Sequence, residues 1–317
     1  MERPIYAGPK PGNRTRRWRT VFGIIVIIQL IVLALYLYQR KQSTIEPPTT
    51  SQPAQQQPTT IQSNSEPLIS EKPLPNQSAP SPASLNQLSL VEQALQNGQI
   101  ELAYERIQPL LTQPSSSVIE ALGQINIQRL HSALPMDGKI FYTVQSGDYL
   151  QKIARQYNTT IALIKSMNSM QTDTIRIGAR LLVFNGSFSI QVSKNKNTLD
   201  LLLNNQLFKR YPVGTGEFGK TPAVEFFIYD KIIDPPWTRP TDNRLIEYGD
   251  PENVLGTRWM ALKSTDNSNL KGFGIHGTWE RDSIGSQSSA GCVRMFNEDV
   301  EELFDIVPRK SRVTIIE

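Results

Sequence analysis

The chain has 317 residues, room for about two globular domains, with 33 Lys and Arg against 29 Asp and Glu, a formal net charge of +4. Eight of the basic residues and one acid lie in residues 1–41, which therefore carry +7 and leave −3 for the other 276. A nucleic-acid-binding body loses its main support, because the basic excess is confined to one terminus. A single cysteine, Cys292, excludes an intramolecular disulfide, and two histidines, His131 and His276, are too few for a four-ligand Cys/His zinc site. Neither common glycine-rich phosphate loop occurs. No cofactor and no metal are expected.

In chain order, residues 1–20 form a basic arm and residues 21–38 an uncharged apolar run, VFGIIVIIQLIVLALYLY. At about 1.5 Å per residue, such a run as a helix matches a bilayer's hydrocarbon core. Trp18, Tyr36 and Tyr38 sit at its ends, where amphipathic rings prefer the interface. Six basic residues precede the run and two follow it, which orients the N-terminus to the cytoplasm. No small-x-small cleavage site follows it. The expectation is an uncleaved single-pass anchor in the cytoplasmic membrane, with everything after it extracytoplasmic. Residues 39–86 hold nine of the 22 prolines, with many Gln, Ser and Thr and few large apolar residues. They read as a disordered tether.

Residues 87–139 change character. Leu88, Val91 and Leu95, then Ile100, Ala103, Tyr104, Ile107, Leu110 and Leu111, fall at helical spacing, with Asn97-Gly98 between the two runs. A further helix is expected from about Val118 to Leu134, giving an α-helical hairpin in which His131 is an ordinary helix-end histidine. Residues 140–184 read as β-α-α-β. The order is a strand at Tyr142–Val144, a helix that Gly147-Asp148 turns into and caps, a second helix after Asn158-Thr159-Thr160, and a strand at Leu181–Val183. The segment YTVQSGDYLQKIARQYNTTIALIKSMN, with the close IRIGARLLVF, resembles a LysM domain. That resemblance implies binding to N-acetylglucosamine-containing glycan such as peptidoglycan.

Residues 185–317 read as strands separated by turns: Phe188–Val192, Thr198–Leu203, Gln206–Val213, Val224–Tyr229, Trp259–Leu262 and Val313–Ile316. One helix starts at Asn297, taken as its N-cap, with Val300, Leu303, Phe304 and Val307 on its apolar face. The expected fold is therefore multidomain: a transmembrane helix, a helical hairpin, a small βααβ unit and a mainly-β domain. Within the last, Gly274-Ile-His276-Gly277-Thr278-Trp279 and Ser288-Ser289-Ala290-Gly291-Cys292-Val293-Arg294 put the only cysteine sixteen residues after a histidine. A free thiol is a scarce nucleophile at neutral pH, and an imidazole that takes its proton activates it. Gly291 allows a tight turn whose amides can face an oxyanion, and Arg294 can add positive charge or hold a carboxylate.

This pattern resembles the catalytic domain of the L,D-transpeptidases (the YkuD family). Gly219-Lys220-Thr221-Pro222, Pro235-Pro236-Trp237 and Leu255-Gly256-Thr257-Arg258-Trp259-Met260 agree, whereas Val224 and Asp234 depart from it. The resemblance implies Cys292 as nucleophile, His276 as general base and acid, and the Gly277 carbonyl as the group that orients the ring. It leaves Ser289, Gly291, Arg294 and Trp279 as oxyanion or substrate-binding residues. The implied reaction attacks the bond between residues three and four of a peptidoglycan tetrapeptide stem, releases D-alanine and leaves a thioester. An amine on a neighbouring stem then gives a 3→3 crosslink. Water instead would make the protein an L,D-carboxypeptidase. Another wall cysteine hydrolase is disfavoured by the His-before-Cys order, and a non-catalytic LysM anchor by the motif set.

Overall fold

The computed structural model describes residues 82–317. The basic arm, the expected membrane span at 21–38 and residues 39–81 of the expected tether lie outside the described residues. Among the described residues no helix is long and apolar enough to cross a membrane.

Three helices come first: α1 (Pro82–Gln96), α2 (Ile100–Ile107) and α3 (Ser116–His131). α1 opens five residues before the expected 87, at a proline, whose missing amide costs nothing in a first turn. Gly98, at φ +69°, separates α1 from α2. α2 does not run on to Leu111 as an α-helix but tightens into a 3₁₀ turn at Gln108–Thr112, where Pro109 supplies no amide. α3 starts two residues before the expected Val118 because Ser115 caps it, accepting from the Val118 amide at 3.3 Å. It stops at His131, short of Leu134. There the Lys139 ammonium accepts the helix-end role, donating to the carbonyls of Arg129, Ser132 and Leu134. His131 Nδ1 meets Ser166 Oγ at 2.8 Å.

The βααβ unit follows as β1 (Lys139–Thr143), α4 (Leu150–Gln156), α5 (Ile161–Met167) and β2 (Arg180–Phe184), with β1 and β2 antiparallel. Asp148 is not the cap of α4; that position belongs to Tyr149. Asp148 instead closes the preceding turn, accepting from the Gln145 amide at 2.8 Å, Tyr142 Oη at 2.5 Å and Lys152 Nζ at 2.8 Å. These donors hold its carboxyl at about 2. Thr160 does cap α5, accepting from the Leu163 amide at 2.9 Å. Asn168 ties that helix to β2 through the Ile164 carbonyl and both backbone groups of Leu182.

The C-terminal part contains β3 (Phe188–Ser193), β4 (Thr198–Leu203), β5 (Gln206–Pro212), β6 (Thr215–Gly216), β7 (Glu225–Ile233), β8 (Trp237–Thr238), β9 (Leu245–Ile246), β10 (Arg258–Ser264), β11 (Gly274–Thr278), β12 (Gln287–Ser289), β13 (Val293–Phe296), α6 (Asn297–Ile306) and β14 (Arg312–Ile316). Eight strands form one mixed sheet in the order β13-β11-β10-β7-β14-β3-β4-β5. Two pairings are parallel, β11 with β13 and β14 with β3. The short β6 pairs with β12, and β8 with β9. β11 and β13 carry the Cys/His motif, and sequence periodicity missed both. GIHGT is buried at every position and so shows no alternation.

The apolar core of this sheet reaches beyond it. Leu130 from α3 and Leu163, Met167, Leu182 and Phe184 from the βααβ unit belong to the same buried cluster as Ile190, Leu201, Phe226 and Val300. Phe184 stacks on Phe188 with ring centroids 5.1 Å apart, and Phe188 meets Phe208 edge-on at 5.3 Å. Asn126 of α3, buried, donates to the Phe208 carbonyl on β5 at 2.8 Å. The helices and the βααβ unit thus dock on the sheet rather than swing beside it.

Candidate active site

β11 brings His276 into the sheet between two neighbours. Its register partner is Arg294 on the parallel strand β13 and Trp259 on the antiparallel strand β10. The Trp259 ring stacks on the imidazole, centroids 5.5 Å apart at 28°. The same indole covers Gly274, where a Cβ would come within 2.5 Å of it, so the small residue at 274 is what lets the ring lie there. His276 is only 3% exposed. Its Nδ1 lies 2.6 Å from the Gly277 carbonyl oxygen, which can only accept. Nδ1 therefore carries the hydrogen and Nε2 keeps a lone pair. Burial, with the Arg294 charge opposite, pushes the imidazole down to about 4, against the pull of the Gly277 bond. At neutral pH the ring is an uncharged acceptor at Nε2.

Cys292 sits one residue before β13, partly exposed, its thiol 3.6 Å from the Gly272 carbonyl. Burial pushes the thiol above its ordinary value, against smaller opposing effects from the Gly274 backbone and Arg294. The two shifts act in the same sense. Raising the thiol and lowering the imidazole both favour a thiol beside a neutral ring over a resting thiolate–imidazolium pair. Proton transfer to the ring as the sulfur attacks is the route that these two shifts favour.

The loop before the cysteine is braced at several points. Ser289 Oγ donates to the Cys292 carbonyl at 2.7 Å and accepts from the Gly291 amide at 3.1 Å. Thr221 Oγ1 donates to the Gly291 carbonyl at 2.9 Å and accepts from the Gly216 amide at 2.7 Å. Gly291 has φ +134°, and a Cβ there would press on the Phe273 ring at 3.0 Å and the Lys220 carbonyl at 3.1 Å. Only glycine fits both the conformation and the space.

The chain matches the family model for the L,D-transpeptidase catalytic domain over residues 187–315 and that for the LysM domain over 142–184. It is 34% identical over 182 residues to a Bacillus subtilis protein named L,D-transpeptidase YkuD, covering 55% of this chain and 97% of that one. A Bacillus licheniformis protein of the same name is 32% identical over 184 residues, covering 56% and 98%. Another from Bacillus subtilis, named L,D-transpeptidase YqjB, is 38% identical over 127 residues, covering 39% and 68%. The chain belongs to the L,D-transpeptidase family.

As an L,D-transpeptidase it is an enzyme, and the roles expected for its motif residues can be set against their contacts. His276, Gly277, Gly291, Cys292 and Arg294 converge on the β11–β13 pair. Ser289 is 2% exposed and its hydroxyl is bonded within the loop. The Gly291 amide is spent on Ser289 and is not free for an oxyanion. Arg294 pairs with Glu280 at 2.8 Å, while its Nε is buried without a partner among the described residues. Trp279 donates its indole N–H to the Leu255 carbonyl at 2.9 Å and leaves its ring 54% exposed. Sequence reasoning assigned no role to Thr221 or Trp259, although both stood in the quoted motifs. Which hydroxyl braces a distant loop, and which ring covers a histidine, is set by strand register.

Proposed function

We propose that this L,D-transpeptidase is a cysteine-dependent, membrane-tethered enzyme that forms 3→3 crosslinks in peptidoglycan through a Cys292 thioester. The observation that carries the reading is His276: buried, uncharged, with Nδ1–H held by Gly277 and Nε2 left as the acceptor, on the strand paired with the one Cys292 precedes. Cys292 Sγ attacks the carbonyl of the L,D bond and its proton passes to Nε2. The positive charge of Arg294, which acts on both the thiol and the imidazole, favours the negative charge that develops on the carbonyl oxygen. Collapse breaks the C–N bond, and the imidazolium returns the proton to the departing D-alanine amine. The acceptor amine, a diaminopimelate side chain, then attacks the thioester carbonyl and loses its proton to Nε2 as the C–S bond breaks, and the imidazolium passes that proton to the departing Sγ, which restores the thiol and the neutral ring.

The LysM match supports glycan binding, and the apolar run at 21–38 with its basic flank supports the anchor and an extracytoplasmic catalytic domain. The test is incubation of the detergent-solubilised full chain with disaccharide tetrapeptide, followed by mass spectrometry. A crosslinked dimer lacking one alanine is expected. Loss of alanine without a dimer would make the enzyme a carboxypeptidase. Unchanged substrate would overturn the catalytic reading.

A further inference from the structure

We propose that Asn297 is a positioning residue for the histidine, acting on the imidazole through the backbone of Gly277; the inference rests on the reading of His276 as the base. Asn297 is the first residue of α6, a place from which asparagine commonly turns back to cap the helix amides. Here Phe296 holds the cap position and no side chain caps the helix. The Asn297 carboxamide points elsewhere: Oδ1 accepts from the Thr257 amide at 3.2 Å. A Cβ on either Gly256 or Gly277 would collide with that same oxygen, so it fills the space left by two absent side chains.

Those two glycines are bonded to each other. The Gly256 amide donates to the Gly277 carbonyl at 2.9 Å. The same carbonyl oxygen takes the His276 Nδ1 hydrogen at 2.6 Å. A continuous path therefore runs from Asn297 to the 256–257 segment, to the Gly277 carbonyl, and to the imidazole. The carboxamide fixes the plane of the acceptor that selects the tautomer with Nε2 free. A helix cap would instead have bonded an amide of α6 and left Gly277 alone. α6 also follows β13 without a break, so one element seats both the cysteine strand and the histidine's acceptor.

Asn297→Ala removes the acceptor, and Asn297→Asp keeps it while adding a negative charge. The charges around the ring to be held constant are Arg294 on β13 with its partner Glu280, and on α6 the Glu298–Arg281 pair and Asp299. In D-alanine release, Asn297→Ala is expected to lower kcat about tenfold to a hundredfold with KM within about twofold, the usual result of a misplaced catalytic group. Asn297→Asp is expected to recover most of kcat and to move the acid limb of kcat/KM to higher pH. ¹⁵N NMR of the His276 ring reads the same effect without any turnover. The wild type should show the Nδ1–H form alone and Asn297→Ala a tautomer mixture, so this arm stands even if no D-alanine is released and the functional reading fails. A pure Nδ1–H ring in folded Asn297→Ala would overturn the proposal. So would an Asp variant that folds but neither recovers kcat nor shifts the limb.

Discussion

At the level of single residues, His276 links pH to both stability and catalysis. Its folded-state value, about 4, lies below the ordinary 6.5. The unfolded chain therefore binds the extra proton between those two values, and stability falls as pH drops through that window. The loss amounts to roughly 3 kcal/mol at its foot. Asp299, raised to about 6 by burial, acts in the opposite sense over part of the same range. The histidine's share is thus the difference between wild type and His276→Gln in denaturant titrations from pH 7 to 4, and the variant should show the shallower decline. Activity should persist in the wild type down to near pH 4 before the base protonates. Because the thiol is raised and the ring lowered, alkylation of Cys292 by iodoacetamide should climb through the alkaline range. A plateau near neutrality would instead reveal a resting ion pair. Cys292→Ala should cut D-alanine release more than about a thousandfold, since it removes the attacking atom.

Two elements hold the site, and each has a polar fastening that can be cut. The nucleophile loop depends on Thr221, which bonds the Gly291 carbonyl and the Gly216 amide. Thr221→Val keeps the volume but leaves two buried backbone groups unpaired. It should cost about 1–3 kcal/mol for each group by chemical denaturation and slow acylation of Cys292 by substrate. Helix α6 is closed at its C-terminal end by Lys231, whose ammonium donates to the Phe304 carbonyl and, at 2.7 Å, to that of Val307. Burial pushes this lysine down to about 7. Lys231→Met keeps the apolar stem but not the donors, and should lower the melting temperature without changing KM, because the residue lies at the end of α6 away from His276. The sequence placed α6 well because its apolar face repeats at helical spacing, Val300, Leu303 and Phe304 being buried. It misplaced the Asn297 side chain because a local rule, N-capping, was overridden by a contact 40 residues distant in the chain.

Over the described residues the helices, the LysM domain and the transpeptidase sheet share buried surface. Phe184 ends the last LysM strand, is 1% exposed, and stacks on the first strand of the sheet. Asn126 reaches from α3 to β5. Thr160, the cap of α5, also donates to the Asp305 carbonyl of α6. Calorimetry should therefore show one unfolding transition for these parts together. Phe184→Ala should destabilise them jointly by about 3–5 kcal/mol, the cost of emptying an aromatic site in a close-packed core. Separate transitions, with only the LysM part shifted, would show that the interface contributes little.

The sequence by itself determined what local chemistry can encode. Apolar periodicity set the helices and most strands, glycines and asparagines set the turns, and the Cys292 and His276 motifs set the family. Only the tertiary structure decided which groups are spent. Ser289 and the Gly291 amide looked available for substrate and are bonded to the loop. Trp259 and Thr221 looked incidental and support the two reactive residues. The histidine's low proton affinity follows from burial between two strands, whereas its tautomer follows from the bond to the adjacent Gly277 carbonyl that the sequence resemblance already implied. Desolvation and hydrogen-bond partners come from segments far apart in the chain, and a linear pattern carries no record of which of them will meet.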